Sequence, residues 1–299
     1  MSATTMESEQ GLQPSSLVLL LRYLRRNVSL SIGLILLVLL AAFTIIGMLI
    51  IDPSDAYPLS VRPRQPPSLQ YPFGTDFFGR DLFAGMVVGT WQTVVIGVLA
   101  GGVGTLIGVV LGFISAYFGG WIDASVRSTC QILIPIPAIL IQIVIAGSLD
   151  PRDVTIVTLA VIIVILAWMG PTLVIRAQVL TMKERQFVAV AKLSGVSDTG
   201  IIFKEIFPNL LPFVAAALVG QVFIAVFASF YLAVLGLGPL REPLLGNIIW
   251  SAQSQGAFFN GWWWWPIFPS IMMILILATL ALINMGLDEL ANPRVRKTE

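Results

Sequence analysis

The sequence predicts an all-α membrane protein of six transmembrane helices with both termini cytoplasmic, and three observations predict it. The first is composition. Of 299 residues, 57% are hydrophobic and 11% charged, and mean hydropathy is +0.91. A soluble domain carries about 25% charged residues, so this chain cannot clothe a water-facing surface. The second is the placing of the charges. Uncharged runs cover Val28–Ile51, Leu82–Ile122, Ser128–Leu149, Val154–Ile175, Ile206–Leu240 and Pro243–Leu287, and the shortest are 22 residues long. A helix needs about 20 apolar residues to cross the hydrocarbon. Each run holds one span, and the glycine, proline and polar content of the three longest argues against a second. The third is the asymmetry of lysine and arginine, which cytoplasmic loops retain. With the N-terminus inside, the inner segments hold 12 of these residues and the outer ones 5.

Taken in order, residues 1–27 form a short cytoplasmic tail. Glu7, Glu9 and a late, long apolar run separate it from a cleavable signal peptide. The first span is 28–51. Residues 52–88 form an extracytoplasmic loop and interfacial segment. Pro53, Pro58, Pro63, Pro66, Pro67 and Pro72 keep the loop extended and irregular. It runs into "FGTDFFGRDLF", where Gly74 and Gly79 permit turns. Asp76, Arg80 and Asp81 lie there among Phe77, Phe78 and Phe83. One reading is an interfacial cap, with charges in the headgroups and rings at the acyl boundary. The other is a part in gating or in contact with an external partner.

Residues 89–286 hold the other five spans, near 90–117, 124–148, 154–176, 209–235 and 264–286. In the first of these, Gly97, Gly101, Gly104, Gly108 and Gly112 recur at three and four residues along one face. Small residues at that spacing let helix backbones approach closely. The spacing does not say whether the neighbour belongs to this chain. In the next span Pro135 and Pro137 of "IPIP" each delete a backbone hydrogen bond, so the helix kinks or unwinds there. The break is a structural kink or the mark of a pathway. "GWWWWPIFP" places four tryptophans at the outer start of the last span. They read as an interfacial anchor, with stacking on a ligand as the alternative.

Several function classes are excluded or weakened. The chain has no histidine and one cysteine, Cys130, so neither a metal centre nor an internal disulfide is expected. A net charge of +1 points to no nucleic-acid partner. Apart from Arg127 and Arg176 near inner ends, the spans lack the ionisable groups that ion-coupled carriers use as relays. No cluster of reactive side chains suggests an enzyme, and no symmetric lining suggests a passive channel. If the chain moves a solute, the energy enters from elsewhere.

The inlet is the cytoplasmic loop 177–208. "FVAVAKLS" reads as a short helix with Lys192 on its exposed side, ended by Gly195. Ser197 or Asp198 caps a second piece, "IIFKEIF", leading to Pro208 and Pro212. A small-residue helix in the cytoplasm suits a groove on another protein, and an ordinary solvated loop is the alternative.

This loop resembles the E-A-A loop of permeases from binding-protein-dependent ABC importers: E-A-A, three residues, G, nine residues, I-x-L-P. The matching positions are Ala189, Val190, Ala191, Gly195, Phe207 and Pro208, with Lys192 following the triplet. Ala189 replaces the usual glutamate, and Glu205 replaces the isoleucine. Gly74, Thr75, Asp76, Gly79, Arg80 and Asp81 are similar to the G-T-D-x-x-G-R-D of the dipeptide/oligopeptide branch, in its C-type subunit. "SDTGIIFKEIFPN", "LGLG" at 235–238 and "ELANPRVRK" in the tail 287–299 resemble the same branch, the last departing from L-D-P-R at Ala291 and Asn292. The resemblance implies a type I importer permease fold in a bacterial inner membrane. Its partners would be a homologous second permease subunit, two ABC ATPase subunits and an extracytoplasmic substrate-binding protein. It implies no cofactor in this chain, ATP and Mg residing on the ATPases; the sequence has no G-x-x-x-x-G-K-[ST] loop. Peptides are the expected substrate, with oligosaccharides, glycosides or nickel complexes as alternatives. The helix before Gly195 would then dock in an ATPase cleft and transmit its closure.

Overall fold

The computed structural model describes residues 26–291. The rest of the predicted tails, 1–25 and 292–299, lies outside them, Asn292 included. α1 (Val28–Ile50) starts at Asn27, whose Oδ1 accepts from the Leu30 N–H at 2.9 Å. This side-chain acceptor satisfies one of the orphan donors of the first turn. α2 (Leu82–Phe118) begins at Asp81, which caps Phe83 N–H at 2.8 Å, and ends at Gly119. It starts eight residues before the predicted span, because the apolar residues between 82 and 89 are buried in protein.

The third span is two helices, α3 (Gly120–Leu133) and α4 (Ala138–Gly147), meeting at 78°. Ile134–Pro137 form the break, as the two prolines predict. The fourth is also bent, by 41°, between α5 (Ile156–Ala167) and α6 (Met169–Lys183). That bend is not expected from the charge pattern; Gly170 and Pro171 just past it are its local signal. Counting each bent pair as one, the described residues contain up to six helical spans, in line with the prediction.

α7 (Gln186–Leu193) comes after α6 and a two-residue turn. A helical turn, Asp198–Gly200, and a π-helical segment, Ile201–Ile206, run without a break into α8 (Phe207–Val234). The prolines do not separate "IIFKEIF" from the span. Within the π segment Phe207 N–H bonds Ile202 O five residues back, and this wider winding relieves the clash a proline ring makes with the carbonyl four residues earlier. α9 (Leu245–Ser254) is a short helix inside the last uncharged run, and no charge marks it off as a separate element in the sequence. It is buried against α8 and α10 (Trp264–Ala291).

α2 is the hub. It packs against α6, α8 and α5, and α10 packs against α1, α8 and α9. Ile96, Leu159, Ile163, Ala225 and Leu232 fill the α2/α5/α8 seam. Met86, Val222, Val226, Met273 and Ile276 fill the α2/α8/α10 seam.

Candidate functional site

At the outer end, "GTDFFGRD" folds into a closed knot. Gly74 and Gly79 sit at φ +74° and +73°, the left-handed region that glycine tolerates. Thr75 Oγ1 donates to Arg62 O at 2.7 Å and accepts from Gln65 N–H at 2.8 Å. Asp76 Oδ1 accepts from the Phe78 and Arg80 N–H groups, and Oδ2 pairs with Arg80 Nε at 2.7 Å. Burial pushes the Asp76 carboxyl above its ordinary value, while Arg80 and the two backbone donors pull it back. Thr75 and Asp76 are each 1% exposed.

The cap reading therefore needs correction. Asp76 is not in the headgroups; it is a buried acceptor that organises the turn leading to the Asp81 cap of α2. The tryptophan reading changes in the same way. Trp265 is fully buried and Trp264 nearly so, with Trp264 Nε1 donating to Thr75 O at 3.3 Å. Phe78 meets Trp265 edge-on and Phe77 lies beside Trp262. Arg64 sits over both Phe77 and Trp262. Trp263, about half exposed, keeps the character of an interfacial anchor.

The glycine stripe packs inside this chain. A Cβ on Gly101 would lie 2.7 Å from Val222 Cα of α8. One on Gly104 would meet Ala167, and ones on Gly108 and Gly112 would meet the Trp168 and Thr172 carbonyls. Gly97 faces Val226. Hence α2 touches α8 with one half of the stripe and the α5/α6 bend with the other.

At the opposite end, α7 is laid across the ends of the long helices. Val188 and Ala191 are buried with Ile175, Val179, Ile201, Ile206 and Phe113. Ala189, Val190, Lys192 and Leu193 face outward, Leu193 at 90% exposure. Gly195, at φ +75°, closes the helix in a Schellman motif. Its N–H bonds Lys192 O at 3.0 Å, and Val196 N–H bonds Ala191 O at 3.1 Å. A side chain at Gly195 would meet open space, so its backbone angle, not crowding, calls for glycine. Ser197 caps the next helical turn, accepting from Gly200 N–H at 3.3 Å. Pro208 lies in the first turn of α8.

Three polar contacts tie this assembly down. Tyr117 Oη donates to Asp198 Oδ1 at 2.6 Å. Lys183 Nζ donates to Tyr117 O at 2.7 Å. Arg176 grips Asp123 with two donors, the Nη2–Oδ2 distance being 2.7 Å. Nothing in the sequence singles out Tyr117 or Asp123. Asp198, one of two candidate caps by sequence, is instead a tie to α2. The only signal Tyr117 and Asp123 carry is that each is a polar group close to the end of an apolar run.

Residues 108–297 match the family of binding-protein-dependent transport system inner membrane components. The chain belongs to this family. This permease is 28% identical over 276 residues to the dipeptide transport system permease protein DppC of Bacillus subtilis (strain 168), covering 92% of this chain and 85% of that one. It is 28% identical over 277 residues to the oligopeptide transport system permease protein OppC of the same organism, covering 91% and 88%. The motif resemblance to the dipeptide/oligopeptide branch agrees with these names. In fold the permease is similar to a chain of the MetNI methionine ABC transporter in an inward-facing form, with a TM-score of 0.53 and 18% identity over 71% of this chain and 97% of that chain. It is a multi-pass membrane protein with the type I importer fold.

Proposed function

We propose that this permease forms half of the translocation pathway of an ATP-driven importer of di- or oligopeptides delivered by an extracytoplasmic binding protein. A homologous permease supplies the other half. Two ABC ATPase subunits, which bind ATP and Mg, drive the cycle from the cytoplasm; this chain hydrolyses nothing. Relatives named for dipeptide and oligopeptide transport support peptides over oligosaccharides, glycosides or nickel complexes.

The observation that carries the reading is the two-faced α7. Its buried side, Val188 and Ala191, is fixed to the helix ends, while Val190 and Leu193 stand exposed, as does Phe203 in the π segment. Apolar side chains held rigidly in water mark a protein contact. A groove on an ATPase gripping that face would move α7 and, through Tyr117–Asp198 and Lys183, the ends of α2, α6 and α8 as one body. With Ala189 at the head of the triplet, the grip rests on packing and not on a carboxylate. The test is Leu193→Asp in the assembled importer. Co-purification with the ATPases and peptide-dependent ATP hydrolysis should both be lost, with the permease still folded in detergent. Retention of both removes α7 from the coupling role.

A further inference from the structure

Between α6, α8 and α10 lies a cleft of about 450 Å³, lined by Gly170, Pro171, Ala217, Gln178, Gln221 and Asn284 among others. Its apolar floor carries two side-chain amides, Gln221 and Asn284. Elsewhere on these helices hydroxyls return to their own backbone: Ser229 Oγ donates to Val226 O and Thr279 Oγ1 to Leu275 O. The cleft amides do not. Gln221 is 7% exposed and has no hydrogen-bond partner among the described residues. Asn284 Oδ1 is buried without a partner, although its Nδ2 reaches Asp288 Oδ2 at 3.3 Å. Gly220 keeps room for Asn284. A Cβ on Gly220 would crowd Asn284 Oδ1 at 3.1 Å, and one on Gly170 would sit 3.9 Å from Gln221 Oε1. A buried amide oxygen without a partner in a membrane bundle is costly and marks a wet cavity or a ligand path.

We infer that this cleft is the permease's own stretch of the substrate route, where Gln221 and Asn284 hold the peptide-bond N–H and C=O groups of the passing substrate. The inference rests on the peptide-importer reading. A primary amide offers both a donor and an acceptor and no charge, which suits a neutral peptide backbone of any sequence. Asp288, exposed at the cytoplasmic mouth, offers a carboxylate to the substrate's ammonium group.

The experiment uses the assembled importer in vesicles, with buried Cys130 replaced by serine. Gln221→Cys should react with a water-soluble methanethiosulfonate reagent, and excess dialanine should protect it. Ala225→Cys, one turn on and fully buried, should not react. Gln221→Leu and Asn284→Leu should each lower dialanine uptake about tenfold, the scale of a lost buried hydrogen bond. Unreactive Gln221→Cys, or leucine variants with full uptake, would overturn the route. A wild-type importer that moves no peptide would remove the peptide assignment, and thiol reactivity would still decide whether the cleft is wet.

Discussion

Gly195 and Gly108 are both glycines for different physical reasons, and substitution separates them. Gly195 needs its left-handed φ and has empty space where a side chain would go. Gly195→Ala should cost about 1 kcal/mol of local helix stability and leave the bundle's melting temperature in detergent unchanged. Gly108 has ordinary helical geometry and no room, a Cβ there lying 2.7 Å from Trp168 O. Gly108→Val should overpack the α2/α6 seam by about 2 kcal/mol and lower that melting temperature, as thermal unfolding would show. The stripe's spacing announces close packing; it does not say that both neighbours are in the same chain. Asp76 teaches the reverse lesson. Its sequence context of charges and phenylalanines looks interfacial, yet it is buried and paired with Arg80. Asp76→Ala should leave Arg80 without its partner and destabilise the outer knot by about 3 kcal/mol, measurable as faster proteolysis of the 52–81 loop.

At the scale of elements, breaks are legible where proline states them and obscure where packing does. Pro135 and Pro137 set the 78° bend between α3 and α4. Replacing both with alanine should let the helix run through, changing a spin-label distance between positions 126 and 144 that stays fixed in the parent. The 41° bend at Trp168 has only Gly170 and Pro171 just past it as a flag, and the short helix α9 has none. α9 holds Asn247, Ser251, Gln253 and Ser254 and is no span, but no charge sets it off from the rest of its run, and it is buried between α8 and α10. The bounds of α7 are nearly readable in advance, because "FVAVAKLSG" carries both a helical stretch and its glycine stop. Which side of α7 is free is not. Burial of Val188 and Ala191 decides that, and it leaves Val190 and Leu193 outside.

For the whole molecule, the segments assigned to the cytoplasm by charge meet at one end. Arg176, Lys183 and Asp198 contact Asp123 and Tyr117 there, while Trp264 meets Thr75 at the other. Leu69→Cys should therefore label with an impermeant thiol reagent in intact cells, and Leu193→Cys only after permeabilisation. The opposite pattern would invert the topology. Length of uncharged run and proline placement are local or additive properties, so the sequence alone determined the membrane class, up to six helical spans and the place of the short helix before Gly195. The gathering of Gln221 and Asn284 into one cleft, the inward turn of Asp76 and the partner of each glycine depend on which helix faces which. In a bundle whose helices are apolar all round, no amphipathic stripe encodes that choice, and close packing in three dimensions made it.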